Sequence, residues 1–214
     1  MSTSGRAGAA ASIALVLSCV ACSDDDAPDQ FIQCSSAEPA ASRVTIVGDS
    51  LTVQSQIELR DAVDGALVDA CNGRTITGPI ATDDALGRIE PLQASAPDWW
   101  VVALGTNDAA YGGRTPQVVG VSARQLLDAI GAEACVAWVL PAVQAPVTQA
   151  AIDNVVAAQQ AITAELDRQD CHEVVDWPGA VAEDAQLLLD VDGIHLSEDG
   201  RQRFAELVAD AIGD

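Results

Sequence analysis

Four short polar clusters in this chain bring together residue types that can do chemistry: "GDS" at Gly48–Ser50, Gly78 in "RTITGP", "GTND" at Gly105–Asp108 and "DVDGIHLS" at Asp190–Ser197. Each cluster has an ordinary structural use, because Ser and Asn cap helices and Gly makes turns. Together they supply what acyl transfer needs. A serine hydroxyl attacks a carbonyl poorly unless a base removes its proton, and the oxyanion that forms needs donors aimed at it. Ser50 is the candidate nucleophile. The sequence has two histidines, and His195 is the candidate base, since His172 adjoins Cys171 at the start of a predicted strand. Asp192, three residues before His195, can fold back to hold the imidazole tautomer and stabilise the imidazolium; Asp190 is the reserve. The backbone N–H groups of Ser50 and Gly78 and the side-chain amide of Asn107 are the candidate oxyanion donors, and Tyr111 is placed to line a substrate pocket.

These residues can meet only if the fold collects them. From about residue 43, β-rich runs alternate with helical patterns. "RVTIVG", "RTIT", "DWWVVAL", "VAWVL" and "EVVDW" read as five strands. Apolar residues at Val53, Ile57, Val63, Leu67 and Ala70 approximate helical spacing. Further helices are expected around Asp83–Leu92, over "PQVVGVSARQLLDAI", over "VTQAAIDNVVAAQQAITAELDRQ" and from Ser197, its N-cap. Strands alternating with helices of this length imply a parallel five-stranded sheet, right-handed crossovers and helices on both faces, a three-layer α/β/α sandwich. In such sheets ligands bind beyond the carboxyl ends of the strands, where the polar clusters fall. Adjacent Trp99 and Trp100 should point to opposite faces and pack in the two cores.

In order and spacing, "GDSL", "GTND" and the Asp-x-x-His of "DGIH" resemble the motif blocks of the SGNH/GDSL hydrolases, over roughly residues 43–212. The resemblance implies a flavodoxin-like sheet, Ser50 as nucleophile, Gly78 and Asn107 as oxyanion donors and Asp192 and His195 completing a triad. It gives Asp49 a supporting role. Gly73 competes with Gly78 for the second block. A Gly-x-Ser-x-Gly elbow is absent, because Thr52 stands at its second glycine. The expected activity is that of a serine esterase acting on short acyl chains or acylated sugars. An O-acyltransferase acting on envelope glycans and a non-catalytic ligand-binding surface lipoprotein are the alternatives. No metal or organic cofactor is implied.

Residues 1–22 read as a signal peptide: Arg6 precedes "AAASIALVLSCVAC", too short for a membrane span and the length of a signal hydrophobic region. "AC" at Ala21–Cys22 resembles a lipoprotein lipobox with Cys22 as the lipidation site, Cys19 and simple cleavage being the other readings. Residues 23–40 form an acidic tether and residues 41–214 the hydrolase domain. Export makes the remaining cysteines disulfide candidates. Their positions before predicted strands pair Cys34 with Cys71 and Cys135 with Cys171. All ten basic residues are Arg, and 32 acidic residues give a net charge of -22, which repels nucleic acid and anionic lipid headgroups. The expected partner is a small-molecule or glycan ester, contact with a membrane is through the N-terminal lipid anchor alone, and a monomer is expected.

Overall fold

The computed structural model describes residues 34–35, 41–78 and 83–213. The expected signal peptide, Cys22 and most of the tether lie outside the described residues. The elements run β1 Cys34–Ser35, β2 Val44–Gly48, α1 Ser50–Gln54, α2 Gln56–Ala62, β3 Leu67–Cys71, α3 Leu86–Leu92 and β4 Trp99–Ala103. After a π-helical turn at Asn107–Tyr111 come α4 Pro116–Ile130, β5 Cys135–Val139, α5 Gln149–Leu166, β6 His172–Val175, α6 Trp177–Glu183 and α7 Glu198–Ile212.

One six-stranded sheet, ordered β1-β3-β2-β4-β5-β6, organises the domain. β2 to β6 are parallel, and β1 adds an antiparallel edge with Cys34 opposite Cys71. Strand residues alternate between two cores. Ile46, Val101 and Ala103 meet α1, α2, α6 and α7 on one face through Leu51, Leu59, Trp177, Phe204 and Val208. Val47, Trp100, Val102 and Trp138 meet α3, α4 and α5 on the other through Ile89, Leu126, Val155 and Ile162. Trp99 packs against the first core and Trp100 sits in the second, as the alternation of strand side chains requires. This is the expected three-layer sandwich with one strand more than expected.

The sequence reading misplaced the second strand. Leu67 and Ala70 continue the helical spacing of the preceding segment, but Gly65, at φ +66°, ends that run and the chain turns into β3. "RTIT" is loop. The charge of Asp69 disguises β3: its carboxylate is fully buried and neutralised by Arg74 and Arg88, at 2.7 Å each. Cys71 therefore ends its strand instead of preceding it. α6 was not foreseen either; its N-cap is Asp176, whose carboxylate accepts from the Gly179 N–H. The α3 helix begins at Leu86, three residues later than expected.

Both expected disulfides are present, Cys34–Cys71 tying β1 to the end of β3 and Cys135–Cys171 joining the starts of β5 and β6. Two residues of the expected tether are thus an edge strand fastened to the sheet. Among the described residues no helix is long and apolar enough to cross a membrane. The bridges close segments with separations of 37 and 36 residues. Reduction is expected to lower unfolding free energy by about 2–5 kcal/mol per bridge. Denaturant unfolding with and without a thiol reductant measures this, and an unchanged midpoint in fully reduced protein would contradict it.

Candidate active site

β2 and β4 lie side by side, so the loops leaving their carboxyl ends emerge together. At the end of β2 the chain turns sharply into α1: a Cβ on Gly48 would collide with the Thr52 side chain, so only glycine fits there. Asp49 caps α1, its Oδ1 accepting from the Leu51 N–H at 3.0 Å, and Ser50 becomes the first helical residue. The backbone N–H groups of a first helical turn have no intrahelical acceptor, which suits an anion placed beyond Ser50. At the end of β4, Gly105 at φ +120° turns the chain into the segment bearing Thr106 and Asn107. The Asn107 amide donates to Asp49 Oδ2 and to the Arg74 carbonyl, both at 3.1 Å.

The third contribution arrives from far along the chain. The 188–197 loop is pinned to α1 by a hydrogen bond from the Leu196 N–H to the Gln54 side chain, 3.1 Å. It turns at Gly193, whose φ is +67° and where a Cβ would strike the Gln144 and Ala145 carbonyls. Asp192 Oδ1 accepts from the backbone N–H groups of Ile194 and His195 at 2.8 and 2.9 Å, which fixes the carboxylate. Its Oδ2 lies 2.8 Å from His195 Nδ1, and His195 Nε2 lies 3.2 Å from Ser50 Oγ. The result is a continuous chain from carboxylate to imidazole to hydroxyl. It opens onto a cavity of about 330 Å³ lined by Ser50, Asn72, Gly73, Thr106, Asn107, Tyr111, Ile194 and His195.

Ser50, Asn107, Asp192 and His195 are thus brought together, with Tyr111 exposed on the rim. Asp190 is exposed, and the His195 ring is engaged by Asp192 instead. His172 stands at the opposite edge of the sheet, its Nδ1 2.8 Å from the Gln169 carbonyl. Gly78 must be corrected. Its N–H donates to Asp84 Oδ2 at 2.9 Å and its carbonyl is held by Thr75 and Arg114, away from the cavity. Gly73 lines the cavity in its place, because β3 ends at Cys71 and the turn that follows is Asn72–Gly73, with Gly73 at φ +74°. Sequence reasoning missed Asn72, Arg74, Thr106 and Gln54; a correctly placed β3 would have pointed to the first two.

The site's electrostatics set two carboxylates apart. Burial opposes ionisation of Asp192, but hydrogen bonds from His195 and Ile194 outweigh it and hold the carboxyl below its ordinary range. At Asp49 burial prevails over the Leu51 N–H, the like charge of Asp108 adds to it, and the carboxyl is pushed up to about 7. Asp108 is itself raised, by burial against the restraint of the Ile76 N–H and Arg114. Between the ordinary value of 3.8 and about 7, folded Asp49 keeps a proton that the unfolded chain has released. Stability from this group is therefore present at low pH and is lost as pH rises through that window. Asp49→Asn removes the titration, so the variant's stability relative to wild type is expected to rise between pH 5 and pH 7.5. Urea midpoints at successive pH values check this; a constant difference would contradict it.

Comparison with curated protein sequences finds no match. Among solved structures, a member of the lipolytic protein G-D-S-L family from Veillonella parvula superposes with a TM-score of 0.66 and 15% identity, covering 79% of this chain and 97% of that one. A catalytic mutant of an acetylxylan esterase from Geobacillus stearothermophilus gives 0.64 and 17%, covering 82% and 95%. The C-terminal catalytic domain of the Streptococcus pneumoniae peptidoglycan O-acetyltransferase A gives 0.61 and 17%, covering 81% and 92%. These likenesses establish the fold. The profile of the GDSL-like lipase/acylhydrolase family matches residues 46–203, which include Ser50, Asn107, Asp192 and His195. The chain therefore belongs to the GDSL-like lipase/acylhydrolase family and is an ester-hydrolysing enzyme.

Proposed function

We propose that this chain is an exported serine esterase that cleaves short-chain carboxylic esters or acylated sugars through an acyl-Ser50 intermediate. The alignment of Asp192, His195 and Ser50 carries this reading. With its Nδ1 proton held by Asp192, His195 presents an unprotonated Nε2 to Ser50. As Oγ bonds to the carbonyl carbon, its proton passes to Nε2, and the carbonyl oxygen becomes an oxyanion. The Ser50 and Gly73 N–H groups and the Asn107 amide are the donors for it. The bonds to Asp49 and to the Arg74 carbonyl together hold the Asn107 amide plane, and the N–H that faces the Arg74 carbonyl is shared with the oxyanion. His195 then returns the proton to the leaving alcohol. Water, activated by the same imidazole, hydrolyses the acyl-serine.

The cavity is open and only about 330 Å³, which supports short chains or a bulky, solvated sugar. The disulfides suit an oxidising compartment, which supports export, with lipid attachment at Cys22 as the anchor. The fold shared with a peptidoglycan O-acetyltransferase domain supports a second reading, in which a glycan hydroxyl replaces water as acceptor. Hydrolysis of chromogenic acetate, butyrate and octanoate esters is expected to fall with chain length. A rate that peaks at octanoate would overturn the short-chain assignment. Acylated product formed when a glycan is added to the acetate reaction would transfer the assignment to acyl transfer.

A further inference from the structure

Arg74 is an unusual residue to find in this interior. Its side chain is fully buried, with Nη1 bonded to the Asp69 carbonyl at 2.8 Å and the Asp69 carboxylate at 2.7 Å. Nε and Nη2 both reach Asp83 Oδ2, at 3.0 and 2.6 Å. Asp69, equally buried, also receives Arg88. Two carboxylates and two guanidinium groups thus share one network. Such a network repays its desolvation only when every partner is in place, and apolar side chains would stabilise a core at least as well. What it secures here is position.

The backbone of Arg74 stands at the active site. Its carbonyl accepts from the Asn107 amide, its N–H donates to the Cys71 carbonyl to close the turn, and Gly73, its neighbour, lines the cavity. The side chain runs the other way and bolts that turn to β3 through Asp69 and to the segment before α3 through Asp83. We infer that Arg74 is a positioning residue for the oxyanion hole: its buried guanidinium fixes the turn that places the Gly73 N–H and sets the orientation of the Asn107 amide. This rests on the acyl-serine reading above, in which both groups face the oxyanion. Arg88 neutralises the same Asp69 from α3, outside the turn that carries Gly73.

The test compares Arg74→Lys and Arg74→Met with Arg88→Met, using acetate-ester hydrolysis below each variant's thermal transition. Both Arg74 variants are expected to lose about 10- to 100-fold in kcat with KM changed less than about 3-fold, the signature of an interaction made in the transition state. Arg88→Met is expected to lower the thermal transition and keep kcat within about 2-fold. Combining Arg74→Lys with Asn107→Ala should cost less than the product of the single losses, because one acts through the other. If the Arg74 variants fail to fold, Asp83→Ala removes one anchor at a partly exposed position and is expected to show the same kcat loss on a smaller scale. Wild-type kcat in folded Arg74 or Asp83 variants, or an equal loss in Arg88→Met, would overturn the inference. Ser50→Ala run alongside separates the two levels: activity surviving in it would remove the acyl-serine reading itself.

Discussion

Ser50→Ala is expected to lower kcat for acetate-ester hydrolysis by about 10⁴- to 10⁶-fold, the range for loss of a nucleophile that works as a unit with its base. The fold should be untouched. Ser50 is the first residue of α1, but the helix cap belongs to Asp49, and among the described residues the Ser50 hydroxyl hydrogen-bonds to His195. Alanine is also a good residue for a first helical turn. The thermal transition of the variant should therefore lie within a few degrees of wild type. Steady-state kinetics on enzyme whose folding has been verified by circular dichroism checks both statements. A variant retaining more than about a tenth of wild-type kcat would remove Ser50 from the chemistry, since deleting a covalent nucleophile cannot cost so little.

The second large effect is expected at Asp192. Its carboxylate accepts from two backbone N–H groups and from the imidazole, so it fixes both ring orientation and tautomer. Asparagine is nearly isosteric, but its amide nitrogen is a donor. Facing the ring with that nitrogen, Asp192→Asn favours the tautomer whose proton sits on Nε2, and the base then points an N–H at Ser50. A substitution of this kind costs about 10⁴ in a serine protease triad. Here Asp192 and His195 are each about one-third exposed, at 32% and 34% of the side chain, so water partly substitutes and about 10³-fold is expected. The measurement is kcat/KM across pH. The loss should shrink at high pH, where solvent hydroxide assists, and a loss below about 10-fold at neutral pH would contradict the assigned role.

The residues whose side chains carry the chemistry were legible because their types are scarce or locally patterned. With two histidines in the chain, one lying at the wrong edge of the sheet, His195 stood out, and Asp192 followed from its three-residue spacing. Ser50 follows a strand of β-branched residues, "VTIV", and Asn107 one of continuous apolar residues, "WWVVA", and both are hard to mistake. The glycine donor was not legible for the converse reason. A backbone N–H is common to every residue, so its identity depends wholly on where the strand ends. That strand, "LVDAC", carries a buried aspartate whose partners, Arg74 and Arg88, lie five and nineteen residues further on. No local pattern shows that charge to be neutralised. The sheet's sixth strand was hidden similarly, because a two-residue edge held by a disulfide has no periodicity to read. α6 is only seven residues long and begins "WP", so it reads as a turn.

The acyl-serine account is tested most directly by an active-site phosphonate ester applied to wild-type protein, with activity and adduct followed together. The expected result is one adduct per chain on the peptide bearing Ser50, with activity lost in proportion to incorporation and no adduct in Ser50→Ala. Stoichiometric inactivation with the adduct on another residue, or full activity after Ser50 is completely modified, would contradict it.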